Sequence, residues 1–112
     1  MKTLNKTQLV GYLGSDPEII LLPSGNMLAT LSVATHTKMR NPPKNIEYPF
    51  TTTWHTVTIW GRERIEKIMN QFIKGSHVLV EGKIIYRVYF NKKGEKRYVT
   101  EINAYSILNL DR

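Results

Sequence analysis

A single stretch of this 112-residue chain carries a helical period. Ile65, Ile68, Met69, Phe72 and Ile73 fall at i, i+3, i+4, i+7 and i+8, the apolar stripe of an amphipathic helix that packs on a core. Gly75 stands where such a helix would stop. The rest of the chain reads in period two. Thr7 to Leu13 is strand-like with a bend at Gly11, and Gly14-Ser15-Asp16-Pro17 closes it with turn chemistry. Glu18 to Leu22, the turn Pro23-Ser24-Gly25-Asn26 and Met27 to Thr37 form a long hairpin arm. Lys38 to Phe50, with Pro42, Pro43 and Pro49, breaks the pattern and is expected to be the longest and most mobile loop. Thr51 to Trp60 is a further β arm, and beyond the helix His77 to Phe90 and Lys96 to Leu110 form a hairpin closed by Asn91-Lys92-Lys93-Gly94, with glycine at a left-handed position.

Three β arms, one helix and a final hairpin leave many strand edges to cover, and closing the sheet on itself removes them. A helix between the third and fourth arms is the order of the OB-fold, a five-stranded Greek-key barrel whose open face binds single strands or sugars. The expected architecture is therefore all-β, one domain over residues 1–112. Another small β-barrel with one helix would show the same periodicity.

Charge points to the partner. The chain has 16 Lys+Arg against 9 Asp+Glu, a formal net charge of +7, which favours a polyanion. The excess is concentrated between Lys83 and Arg97, where Lys83, Arg87, Lys92, Lys93, Lys96 and Arg97 face a single acid, Glu95. A solvated basic face would look the same by charge alone. Aromatic residues break the tie: Trp54, Trp60, Tyr86, Tyr89 and Phe90 lie on the third and fourth arms among Arg62, Lys83, Arg87, Lys92 and Lys93. Rings stack on any unpaired base and cations neutralise the phosphates between, whereas duplex DNA hides its base faces. Trp54 and Trp60 are six apart and share one strand face, so the competing reading is that this face points into the core.

Other chemistries find little support. Without cysteine there is no disulfide, thiolate zinc site or cysteine nucleophile. His36, His55 and His77 lack metal-ligand spacing, and no paired-carboxylate or nucleophile motif occurs, so a non-enzymatic binder needing no cofactor or metal is expected. The first residues lack the apolar core of a signal peptide, and no apolar run reaches membrane-spanning length. A soluble, cytoplasmic, nucleoid-associated protein is expected.

Several segments resemble bacterial single-stranded DNA-binding proteins: Asn5-Lys6, Leu9-Val10-Gly11-Tyr12-Leu13-Gly14-Ser15-Asp16-Pro17-Glu18, Thr53-Trp54-His55-Thr56-Val57 with Trp60-Gly61, Lys74-Gly75-Ser76, Val80-Glu81-Gly82-Lys83 and Tyr98-Val99-Thr100-Glu101. They recur in the family's order across nearly the whole chain. The resemblance implies an OB-fold homo-oligomer, a tetramer before a dimer, that wraps single-stranded DNA in replication, recombination and repair. It implies stacking by Trp54, Trp60 and Tyr89, phosphate-facing roles for Lys6, Arg62, Lys74 and Arg87, and a place for His55 near a subunit interface. Three departures stand out. Met39 takes a position where many relatives carry a stacking Trp, and a thioether is a weaker platform. Thr56 stands where Arg is common. The sequence ends at Asn109-Leu110-Asp111-Arg112 without the family's acidic tail, so tail-mediated protein partners are not expected. A primosomal accessory OB protein and an RNA-binding or adaptor OB module are the alternatives.

Overall fold

The computed structural model describes residues 1–111; Arg112, the last residue of the expected domain, lies outside them. Six strands, β1 (Thr7–Leu13), β2 (Glu18–Leu21), β3 (Met27–Lys38), β4 (Phe50–Trp60), β5 (His77–Phe90) and β6 (Lys96–Asn109), surround one helix, α1 (Arg62–Ile68). The strand order is β1-β5-β6-β4-β3-β2, and β1 also pairs with β3. That extra pairing closes five strands into a barrel and leaves the short β2 as an appendage on β3, which is the OB-fold.

Two glycines make the closure possible. β1 pairs with β5 from Thr7 to Tyr12 and then meets β3 at Tyr12↔Ala34 and Leu13↔Val33. A Cβ on Gly11 would lie 2.2 Å from the Ala34 carbonyl oxygen, so the strand can change neighbours only because none is there. At Gly82, in the bulge where β5 coils against β6, a Cβ would lie 2.3 Å from the Asn103 carbonyl oxygen. A short parallel pairing, Val57↔Ile102 and Thr58↔Asn103, completes the ring.

Alternation then sorts the strands. Leu31 and Val33 of β3, Val57 and Ile59 of β4, Val78 and Val80 of β5 and Ile102 and Ala104 of β6 point inward and are buried. Ile65, Met69 and Phe72 plug the barrel, with Ile68 packed at their edge.

The helical stripe is shorter than its period predicts. α1 ends at Ile68, Met69–Gln71 is a 3₁₀ turn, and Phe72 is extended. Ile73, the expected last member of the stripe, is 65% exposed. The chain is pulled out of the helix because its next polar groups are committed elsewhere: Ser76 Oγ accepts the Ile73 N–H at 2.9 Å, and Asp16 Oδ1 accepts that of Lys74 at 2.7 Å. Gly75 consequently turns the chain into β5, its N–H bonded to the Leu13 carbonyl, and does not end the helix.

Candidate nucleic-acid interface

Inside the barrel wall, the inward positions Val57 and Ile59 oblige Trp54, Thr56, Thr58 and Trp60 to face outward. Trp54 is 60% and Trp60 42% exposed, so the reading of this face as core fails. Trp54 lies over Gly14, where a Cβ would come within 2.4 Å of the indole. That glycine is what lets the ring settle on the end of β1. Trp60 ends β4 beside Gly25, Asn26 and Arg62, which line a concavity of about 360 Å³.

The β5–β6 hairpin continues past the barrel as an arm. Beyond Ile84↔Ile102 the two strands pair only with each other, out to Phe90↔Lys96. The side chain of Asn5 clamps the arm's root, donating to the Ile84 carbonyl at 2.8 Å and accepting the Ile84 N–H at 3.0 Å. Asn91 shapes the tip: its Oδ1 accepts the N–H groups of Lys93 and Glu95, each at 2.9 Å, and Gly94 closes the turn at φ +77.

The predicted rings of the arm divide between its faces. Tyr86, Val88 and Phe90 share one face with their cross-strand neighbours Thr100, Tyr98 and Lys96, whereas Arg87 and Tyr89 share the other with Val99 and Arg97. All three aromatic residues are exposed. Alternation makes this division: residues an odd number apart, such as Tyr86 and Tyr89, look opposite ways.

The predicted cations are also not equivalent. Arg87 Nε donates to Glu101 Oε1, and the Glu101 side chain is only 3% exposed, so this guanidinium is tied to a buried carboxylate. Lys6 lies 3.7 Å from Glu81 and Arg62 3.5 Å from Glu66, exposed pairs of small energetic weight. Lys83, Lys92 and Lys93 are exposed at the root and tip of the arm. Lys74 sits in the turn before β5, beside Asp16 and away from the arm. His55 stands opposite Val33, partly buried, with Nε2 2.8 Å from Thr35 Oγ1.

One aromatic row escaped the sequence reading. His77 stacks on Tyr12 at 4.6 Å and 13°, Tyr12 leads to His36 at 6.5 Å, His36 to Tyr48 at 6.1 Å, and Tyr48 to Phe50 at 5.2 Å. The row crosses β5, β1, β3, the loop before β4 and the first residue of β4. Alternation within β1 and β3 gives the outward positions of Tyr12 and His36, but only the closed topology unites five residues so far apart in sequence. Among the described residues no cluster of His, Asp or Glu could hold a metal ion, and no helix is long and apolar enough to cross a membrane.

A closed OB barrel with exposed indoles on one wall and a ring-studded basic arm defines a class of protein, the single-strand nucleic-acid binders. Comparison narrows it. The profile of the single-strand binding protein family matches residues 4–110, and the chain belongs to that family, whose members are non-enzymatic DNA-binding proteins. It is 39% identical over 105 residues to single-stranded DNA-binding protein 1 of Xylella fastidiosa, covering 93% of this chain and 75% of that one. In three dimensions it matches the Plasmodium falciparum SSB in complex with ssDNA, with a TM-score of 0.81 and 28% identity over 99% of this chain and 98% of the other.

Proposed function

We propose that this chain holds single-stranded DNA with little sequence preference and protects it during replication, recombination and repair. The observation that carries the reading is the outward placement of Trp54 and Trp60 on a strand whose intervening residues Val57 and Ile59 are sealed in the core. Buried rings would stabilise the fold and bind nothing. Trp54, Trp60 and Tyr89 serve as stacking platforms, with Tyr86 and Phe90 available from the arm's other face. Lys6, Arg62, Lys74, Lys83, Arg87, Lys92 and Lys93 neutralise phosphates, and no cofactor is required. Each stacked base contributes about 1–3 kcal/mol.

Assembly is part of the proposal. Val10 and Tyr12 leave an apolar outer face on β1, which supports a homo-oligomer, a tetramer before a dimer, with His55 held by Thr35 as a structural residue near a subunit interface. Light scattering with and without oligo-dT checks this, and a monomer in both states would refute it. Action in the cytoplasm, at the nucleoid, completes the reading.

Titration with oligo-dT tests the binding itself. Saturable binding is expected, weakening with salt by roughly 0.7 in log K per log salt for each phosphate neutralised. Equal affinity for duplex DNA would contradict the proposal, and stronger binding of RNA than of DNA of equal length would favour the RNA-module alternative.

A further inference from the structure

Arg87 and Glu101 meet on a diagonal of the β5–β6 ladder. Glu101 stands opposite Ile85, and Arg87, two residues further along β5, shares that face of the arm. The Glu101 side chain is 3% exposed and that of Arg87 59%, so one end of the pair is sealed and the other reaches solvent. Of the four ion pairs among the described residues, only this one has a buried member. The contact uses the inner edge of the guanidinium: Nε donates to Oε1, and neither Nη1 nor Nη2 has a partner among the described residues. A buried carboxylate deprived of its cation is strongly destabilising, which keeps Arg87 in place. The guanidinium is a rigid planar fork, so fixing Nε fixes the direction of both Nη groups. Arg87 also lines, with Trp60, Leu28 and Thr30, a half-enclosed cavity of about 290 Å³, and Tyr89 follows it on the same face of the arm.

We infer that Glu101 is a positioning residue for single-strand binding, an inference that rests on the reading above: it holds the Arg87 fork by its Nε edge and presents Nη1 and Nη2 to one backbone phosphate. The donor set selects the ligand, because paired N–H groups of a planar cation match the oxygens of a phosphate. That phosphate belongs to the stretch of strand between the rings of Trp60 and Tyr89. A free arginine would lose its rotamer freedom on binding, whereas here folding has already removed it. The same carboxylate offsets the charge of Arg87 at a distance, so this residue contributes direction more than attraction. Lys83, Lys92 and Lys93, exposed and without an ion-pair partner among the described residues, supply attraction without fixed direction.

A charge-matched pair of variants tests this. Glu101→Gln and Glu101→Met both remove the negative charge, but only Glu101→Gln keeps an oxygen for Arg87 Nε. Oligo-dT affinity, followed by fluorescence anisotropy at one salt concentration, is expected to be about 3- to 10-fold higher for Glu101→Gln, the effect of ordering one long side chain only on binding. In an Arg87→Ala background the two substitutions are expected to bind alike, since no fork is left to aim. Arg87→Lys leaves the buried position untouched, keeps the charge and removes the fork; it is expected to lose affinity by a similar factor, and it decides the matter should Glu101→Met not fold. Equal binding by Glu101→Gln and Glu101→Met with Arg87 present, or an Arg87→Lys protein as tight as the native one, would overturn the inference and leave the single-strand reading standing. An advantage of Glu101→Gln that persists without Arg87 would overturn it too, because Glu101 would then act through the fold. Failure of the native protein to bind oligo-dT would bring down both.

Discussion

The rings on the barrel wall and the rings on the arm reach the surface for different reasons. On the barrel stretch of β4 the alternate residues Val57 and Ile59 are committed to the core, so Trp60 is sorted outward by that alternation, and Trp54 lies on the same outer face further along the strand. On the arm both faces meet solvent, and alternation sorts Tyr86 from Tyr89 without burying either. Exposure of an indole on the wall is therefore informative about function, while exposure of a phenol on the arm is the default for its position. The arm gains its meaning from asymmetry: one face carries Arg87, Tyr89 and the way into the Trp60 cavity, and the other an uncharged strip ending at Lys96, which lies 5.5 Å over the Tyr98 ring.

The difference can be broken most forcefully at the wall's inner side. Ile59→Ala is expected to cost about 2–5 kcal/mol of stability, read from denaturant unfolding, because a fully buried side chain leaves a cavity. Next, Trp54→Ala should weaken oligo-dT binding by about 1–3 kcal/mol. It should also lower the melting temperature modestly, since the indole rests on Gly14. Affinity unchanged in that variant would return Trp54 to a purely structural role.

The arm separates the faces more finely. If the strand follows the Arg87 face, Tyr89→Ala loses about 1–3 kcal/mol of affinity in the same assay. Phe90→Ala, on the opposite face, should stay within about 0.5 kcal/mol, the usual range for a surface change. Equal losses would mean that DNA wraps both faces. The smallest effect belongs to the tip. Replacing Lys92 and Lys93 together by Ala should flatten the log K against log salt slope by up to roughly 1.4, or 0.7 for each phosphate no longer neutralised, with the fold untouched.

The sequence revealed the barrel because its punctuation is chemical. Gly11, the Pro17 turn, Gly25 and Gly94 each mark a place where the backbone must bend, and period two fills the intervals. It misplaced the end of the helix because Met69 and Phe72 are buried whether the chain is helical, 3₁₀ or extended, so the apolar spacing runs on after the hydrogen bonds have changed. The division of Tyr86 from Tyr89 was present in the odd spacing, available to alternation alone. The aromatic row from His77 to Phe50 and the Arg87–Glu101 pair were not legible, since both depend on which strands become neighbours.

The claim on which the account turns is that the two indoles of β4 meet unpaired bases. Single-tryptophan variants, Trp54→Phe and Trp60→Phe, titrated with oligo-dT while intrinsic fluorescence and oligonucleotide anisotropy are followed together, address it directly. The account predicts saturable quenching of the remaining Trp in each variant, in step with the anisotropy and relieved by salt. Anisotropy that reports binding while both indoles stay unquenched would contradict it.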